Sequence, residues 1–276
     1  MGGLARRPLA RLSLALAVLL AGFVLASLVL SGQACAASPF AGWAAVVVAG
    51  DFHAHSGAPS EAFDNARHDV GEALLSAGFA PRNLLEFSVR PARYRPRPGR
   101  SDVDGISDAL AKLSAQAPDG CLVYFTSHGA PTGLVVGDEL LAPDELDAML
   151  NGSCGERPTV VVISACFSGA FVPALAAPNR LVLTAARRDR TSFGCGQSDR
   201  YPYFDDCFLR TFGDARDFIE LGRKVQACVA RREVETGMSP PSEPQLWVGA
   251  SLRPLLPFYP LPLRPTGAAA RPMARF

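Results

Sequence analysis

Short apolar runs alternate with amphipathic segments from residue 44 onward. The first run, "AAVVVAG", has no polar alternation, which is typical of a strand buried on both faces of a sheet. Five later runs are also predicted strands: "NLLEFSV", "CLVYFTS", "TVVVIS", "RLVLTAA" and "PQLWVGA". Together they predict a sheet of six strands.

Helical periodicity fills the gaps between these runs. In residues 60–79, Phe63, Ala66, Val70 and Leu74 repeat at helical spacing, and Gly78 is the predicted stop. A second helix, "SDVDGISDALAKLSAQ", is expected to begin at a Ser101 or Asp102 cap, and a third, "APDELDAML", at Pro143. Strands alternating with helices predict βαβ units, so we expect an α/β fold with a mostly parallel central sheet and helices on both faces.

Two polar side chains follow predicted strands at the end where α/β proteins bind ligands. His128 and Gly129 come after "CLVYFTS", and Cys166 comes after "TVVVIS". If these strands are neighbours, a thiol and an imidazole emerge side by side, as a nucleophilic cysteine requires. The N–H groups of Gly129 and Cys166 are candidate oxyanion donors. A lone cysteine after a strand is more often buried structure, but the pair favours catalysis.

The order of the motifs resembles the legumain family of cysteine peptidases, within the caspase-like clan. "TSHGAPTGL" and "ISACFSG" carry the likeness, and "VVVAGD…FDNARHDV", "TAARRDRTSFGC…YPYFDD" and "PSEPQLWVG" extend it. The resemblance implies a caspase-like three-layer sandwich over residues 40–252. It also implies a cysteine endopeptidase that acts on peptides or proteins, with Cys166 as nucleophile and His128 as general acid/base.

The resemblance assigns further site residues. Asn65 matches the asparagine that orients the catalytic histidine, although a solvated position on the helix explains it equally well. Arg67 and Asp206 match opposite charges of a specificity pocket lined by Thr191 and Ser192, although surface ion pairs also account for both charges. Such a pocket would prefer asparagine before the cleaved bond, with aspartate second, since a carboxamide both accepts and donates.

One departure weakens that specificity. Legumains have an acidic residue directly after the nucleophile, and this chain has Phe167. We therefore expect looser discrimination. Two alternatives to hydrolysis stay open at this stage: transpeptidation by the same Cys/His pair, and a catalytically silent domain that binds peptides.

The N-terminal segment has the order of a signal peptide. Arg6, Arg7 and Arg11 precede an uncharged apolar run over residues 12–30, and small residues follow up to Ala36. Residues 1–36 are predicted to be a cleaved signal peptide or, alternatively, an uncleaved anchor that tethers the protein to the membrane. Either reading places the body outside the cytoplasm, in the periplasm or the extracellular space. Residues 253–276 are rich in proline and predict an extended tail.

An oxidising compartment would join most of the cysteines in disulfides. Cys121 and Cys154 each precede a predicted core strand, so they would meet at the sheet end opposite Cys166, and we expect them to be paired. Only one more bridge is available to Cys195, Cys207 and Cys228, and its members stay open.

Charge and ligand spacing limit the partners. The chain has 27 Lys and Arg against 26 Asp and Glu, a net charge of +1, which gives no reason to expect nucleic acid. No Cys or His spacing matches a zinc site, and His53 and His55 in "DFHAH" are assigned to an ordinary loop. We therefore expect neither a metal nor a cofactor.

Overall fold

The computed structural model describes residues 38–263; residues 1–37 and 264–276, including the predicted signal segment, lie outside it. The main sheet has seven strands in the order β10-β9-β8-β4-β1-β2-β3, all parallel except β10. Their bounds are β1 Trp43–Ala49, β2 Leu84–Ser88, β3 Gly99–Arg100, β4 Gly120–Thr126, β8 Thr159–Ser164, β9 Arg180–Thr184 and β10 Gln245–Val248. A small antiparallel sheet follows β4: β5 Gly129–Ala130, β6 Gly133–Val136 and β7 Glu139–Leu141.

The helices form a layer on each face of the main sheet. They are α1 Ala62–Ser76, α2 Val103–Gln116, α3 Pro143–Ser153, α4 Val172–Leu175, α5 Tyr203–Phe212 and α6 Phe218–Thr236. One core contains side chains of α1, α5 and α6, and the other contains those of α2, α3 and α4. The predicted α/β sandwich with a mostly parallel sheet is therefore confirmed. None of the helices in residues 38–263 is both long and apolar enough to span a membrane.

Local signals in the sequence account for several element boundaries. Strands β1, β4 and β8 are buried at every residue, as expected for continuous apolar runs in a parallel sheet. Helix α2 begins at an Asp102 cap, whose carboxylate accepts from Gly105 N at 2.7 Å. Gly78 follows α1 with a φ of +97°, a left-handed conformation that ends the helix where predicted.

Strands β4 and β8 are direct neighbours. In their parallel register Thr126 is opposite Ser164, and Ser127 N donates to Ser164 O at 3.0 Å. His128 and Cys166 are each two residues beyond that last pair. The sheet topology therefore brings the predicted histidine and cysteine to adjacent positions at one edge.

Two disulfides cross-link the described residues. Cys121 and Cys154 are joined with their Cα atoms 6.0 Å apart, at the start of β4 and the end of α3. The pairing is the predicted one and lies at the opposite end of β4 from His128. The bridge left open by the sequence joins Cys207 on α5 to Cys228 on α6. Cys166 and Cys195 are free thiols.

The segment after residue 252 differs from the predicted extended tail. Residues 256–258 form a 3₁₀ turn, and Leu256 and Leu261 are buried in the core beside α6. Tyr259 packs on Trp43 with ring centroids 4.9 Å apart. Proline prevents regular helix and strand here, but the apolar residues between the prolines still bury against the domain. The prediction was wrong for residues 253–263, and residues 264–276 lie outside the description.

Candidate active site

The imidazole of His128 is fixed on two sides. Its Nε2 lies 2.9 Å from the main-chain oxygen of His53, and its ring packs edge-to-face on Phe63 of α1 with centroids 5.1 Å apart. A carbonyl oxygen only accepts, so Nε2 carries the hydrogen and Nδ1 is the basic nitrogen. The His53 carbonyl therefore sets the tautomer that a proton acceptor for a thiol needs.

The His53 carbonyl is a site group that sequence reasoning missed. The segment "DFHAH" was predicted to be an ordinary loop. Sequence motifs identify side chains, whereas the group that contacts His128 is the main-chain oxygen of His53. The loop is held in place by Asp51, whose carboxylate accepts from Phe52 N at 2.6 Å and His53 N at 3.1 Å, and lies 2.7 Å from His53 Nδ1. An aspartate that folds back on the next two residues is the available sequence signal.

The sulfur of Cys166 faces the loop after β9. Ser192 N donates to Cys166 Sγ at 3.3 Å, and the Ser192 hydroxyl and carbonyl oxygens are each 3.6 Å from the sulfur. The structure thus places Ser192 against the candidate nucleophile Cys166, whereas Thr191 is exposed beside it. Cys166 itself is half-buried, so its sulfur is sheltered yet reachable.

Gly129 packs directly on the main chain of Cys166. A Cβ atom added to Gly129 would lie 2.2 Å from Cys166 O, so only glycine fits this contact. Val135 N donates to His128 O, which makes Gly129 and Leu134 the alternate, non-hydrogen-bonded pair of β5 and β6. The Gly129 N–H therefore points away from β6. The two predicted oxyanion donors, the N–H groups of Gly129 and Cys166, thus lie on segments that contact each other.

Phe167 has a left-handed backbone conformation, with a φ of 58°. A bulky residue in this region is strained, and such strain is concentrated at functional sites. Phe167 N donates to Arg190 O at 2.8 Å, which fixes the turn directly after the nucleophile. This turn carries the chain from β8 into the 3₁₀ segment 168–171.

Cys195 is the second free thiol near the site. Burial, and then the charge on Cys166, raise the pKa of the Cys195 thiol to about 11. Its carbonyl accepts from His55 N at 3.3 Å, so the loop that carries Ser192 is joined to the loop that carries His53. At neutral pH Cys195 is therefore a protonated and weakly reactive neighbour of Cys166.

Asn65 does not bond to His128. Its Nδ2 donates to Arg200 O at 3.1 Å, which ties α1 to the segment before α5. His128 Nε2 contacts the His53 carbonyl rather than the Asn65 amide, and the orienting role of Asn65 stays a prediction.

Arg67 and Asp206, the two charges of the predicted specificity pocket, are buried in ion pairs within the protein, and the pocket stays a prediction. Arg67 is 3% exposed, and its guanidinium pairs with Asp64 at 3.1 Å and with Glu86 on β2. Asp206 is 7% exposed and pairs with Arg210 at 2.9 Å and with Arg232 on α6. Each charge thus has partners of opposite charge on its own helix and on a neighbouring element.

No group of three or more His, Cys, Asp or Glu side chains in residues 38–263 is arranged to hold a metal ion.

A parallel sheet between two helical layers, with a histidine and a cysteine closing neighbouring strands, is the plan of the caspase-like cysteine peptidases. Among solved structures similar to the chain is caspase-1 from Spodoptera frugiperda, with a TM-score of 0.55 and 16% identity over 76% of this chain and 87% of that one. At this identity the likeness shows the fold. No curated protein matches the sequence.

The family model of the Peptidase C13 family matches residues 102–239, a range that includes both His128 and Cys166. The chain belongs to the Peptidase C13 family. This membership confirms the resemblance to legumain-like peptidases, and it implies peptide or protein substrates.

Proposed function

We propose that the protein is a cysteine endopeptidase in which Cys166 is the nucleophile and His128 is the general acid/base. One observation carries the proposal: the two residues stand at equivalent positions beyond a register pair of neighbouring strands, and the His53 carbonyl leaves His128 Nδ1 as the basic nitrogen. Family membership supports the same chemistry.

The reaction follows from these groups. His128 Nδ1 takes the thiol proton, and Cys166 Sγ attacks the peptide carbonyl. The Gly129 and Cys166 N–H groups stabilise the resulting oxyanion. The imidazolium then protonates the leaving amine, which breaks the C–N bond and leaves a thioester on Cys166. Water, deprotonated by His128, releases the acid and restores the thiol.

The preference for asparagine before the cleaved bond does not enter this proposal. That preference required Arg67 and Asp206 to offer their charges to a substrate, and both charges are engaged in intramolecular ion pairs. Since Phe167 also replaces the acidic neighbour of the nucleophile, the proposal concerns peptide-bond cleavage without an assigned side chain.

Export is a second part of the proposal. Two disulfides in the described residues and the signal-like order of residues 1–36 support an oxidising destination outside the cytoplasm. Cell fractionation with antibody detection tests this part: protein in the periplasm or medium supports it, and protein only in the cytoplasm contradicts it.

Profiling the purified full chain against an unbiased peptide library tests the activity. We expect cleavage products under mild reductant, with the cleavage lost in Cys166→Ala. Products joined to added amines instead of water would indicate transpeptidation, and labelling of Cys166 without any turnover would indicate a binding domain.

A further inference from the structure

Asp205 is a fully buried carboxylate beneath the two strands that carry the candidate catalytic residues. It has 0% exposure and lies in the first turn of α5. Three hydroxyl groups donate to it: Tyr124 Oη at 2.6 Å, Thr126 Oγ1 at 3.1 Å and Ser164 Oγ at 2.6 Å. A buried carboxylate needs such partners to replace the water that it loses.

Two of these donors lie at the ends of the neighbouring strands β4 and β8. Thr126 is the last residue of β4 and Ser164 is the last residue of β8, and the two are register partners. The same carboxylate oxygen, Oδ2, accepts from both. One side chain of α5 therefore bridges the ends of both strands, two residues before His128 and two residues before Cys166.

We propose that Asp205 is a positioning residue that holds the ends of β4 and β8 together and thereby sets the approach of His128 to Cys166. Stability alone does not require it, because apolar side chains often replace buried charges without loss. The role rests on the proposed function, since it concerns the geometry of the same pair. Displacement of a catalytic group by about 1 Å costs about 100-fold in rate.

The protonation state of Asp205 determines whether all three hydroxyl groups can donate to it. Burial raises the pKa of the Asp205 carboxyl to about 7, and the bonds from Ser164, Tyr124 and Thr126 oppose that rise. The ionised carboxylate accepts from all three hydroxyls. A protonated carboxyl becomes a donor at one oxygen, so one of these bonds must reverse or break.

The other ionisable groups around Asp205 have their own partners. Burial, followed by the charge and hydrogen bond of Asp205, raises the pKa of Tyr124 on β4 well above its usual value, so its hydroxyl stays a donor. Asp206 on the same helix pairs with Arg210 and with Arg232 of α6. The group that faces Asp205 from β8 is the Ser164 hydroxyl.

Asp205→Asn in the full chain is the first test. The amide keeps the shape of the side chain and cannot ionise. In the wild type we expect kcat to rise through an ionisation near pH 7. In the variant the contribution of Asp205 to that rise should be absent, kcat should fall about 10-fold or more, and KM should stay within about twofold.

Tyr124→Phe and Ser164→Ala form the second test and serve if Asp205→Asn does not fold. Each removes a donor that lowers the pKa of Asp205, so the ionisation should move to higher pH. Glu233→Gln is the matched control. Glu233 is another buried carboxylate held by a serine, Ser242, and its loss should leave the ionisation near pH 7 in place.

Alkylation of Cys166 by iodoacetamide, followed against pH, supplies a readout without turnover. The alkylation rate of Asp205→Asn should lack the ionisation of Asp205. In Tyr124→Phe that ionisation should appear at higher pH than in the wild type. If Asp205→Asn keeps the wild-type profiles for kcat and alkylation, the positioning role is overturned. If Cys166→Ala still cleaves peptides, the proposed function fails instead, and the alkylation profiles still decide the role of Asp205.

Discussion

Arg67 is buried between Asp64 and Glu86, and its guanidinium carbon lies 5.0 Å from the centre of the Tyr94 ring. Burial raises the pKa of Glu86, and the charge of Arg67 opposes that rise. Removal of the arginine would leave Glu86 without its cation and Asp64 with Arg90 alone, at 3.7 Å. We therefore expect Arg67 to act on folding rather than on substrate choice.

Arg67→Ala should therefore lower the free energy of unfolding by about 3–5 kcal/mol, the usual cost of breaking a buried ion pair. Urea denaturation at pH 7 measures this loss, with the exposed Arg97→Ala as control. If Arg67→Ala kept the wild-type stability but changed the cleavage preference, Arg67 would be a residue of the specificity pocket.

Asn65 and His128 offer a second comparison of single residues. Because the amide of Asn65 bonds to Arg200 O, Asn65→Ala should lower kcat/KM by less than about tenfold, whereas loss of a general base costs about 10²–10⁴. Steady-state kinetics of Asn65→Ala and His128→Ala measure both effects. Equal losses in the two variants would show that Asn65 orients the imidazole during turnover.

Asp205 also predicts how stability depends on pH. Its pKa is about 7 in the folded protein and near 4 in an unfolded chain, so the native state binds the extra proton between these values. By linkage, the contribution of Asp205 is full below about pH 4 and is lost as the pH rises through 7, at about 1.4 kcal/mol per pH unit. Relative to the wild type, Asp205→Asn should lack this decline in urea titrations from pH 4 to 8. Parallel stability curves for both proteins would contradict it.

At the scale of elements, the strand ends were the most predictable feature. Apolar runs in a parallel sheet are buried on both faces, so β4 and β8 could be located from composition, and their shared edge brought His128 and Cys166 together. The partner of the imidazole could not be found in this way. It is a main-chain oxygen at His53, and its position depends on a loop fold rather than on a residue type.

Charged side chains were the least predictable for a related reason. Arg67 and Asp206 match pocket residues by motif, yet their partners Glu86 and Arg232 belong to other elements that sequence spacing cannot align. The tail was misjudged because proline content excludes helix and strand but does not exclude burial, as Leu256 and Leu261 show.

The Cys121–Cys154 bridge ties the start of β4 to the end of α3 across 33 residues. Loop-closure entropy gives it a stabilisation of about 3–4 kcal/mol. Replacing both cysteines by alanine should lower the free energy of unfolding by about that amount without changing kcat, because the bridge is at the opposite end of the strand from the site. Peptide mapping should find neither cysteine alkylated before reduction, and free thiols at both positions would contradict the pairing.

At the scale of the whole molecule, the candidate reactive groups lie beyond the carboxyl ends of β4 and β8, between the two helical layers. The His53 loop, the Ser192 loop and the start of α5 converge on this edge and support the two strands from different sides. Rigid elements that carry a small reactive pair are the arrangement that acyl transfer requires, since the pair must be held before a substrate arrives.

Turnover of a cleavable peptide, followed together with the intact mass of the protein, tests whether Cys166 is the nucleophile. The wild type should cleave the peptide and transiently gain the mass of its acyl fragment on Cys166. Cys166→Ala should fold normally, gain no mass and lose activity by about 10³-fold or more. Cleavage that persists in Cys166→Ala, or an acyl fragment on another residue, would show that Cys166 is not the nucleophile.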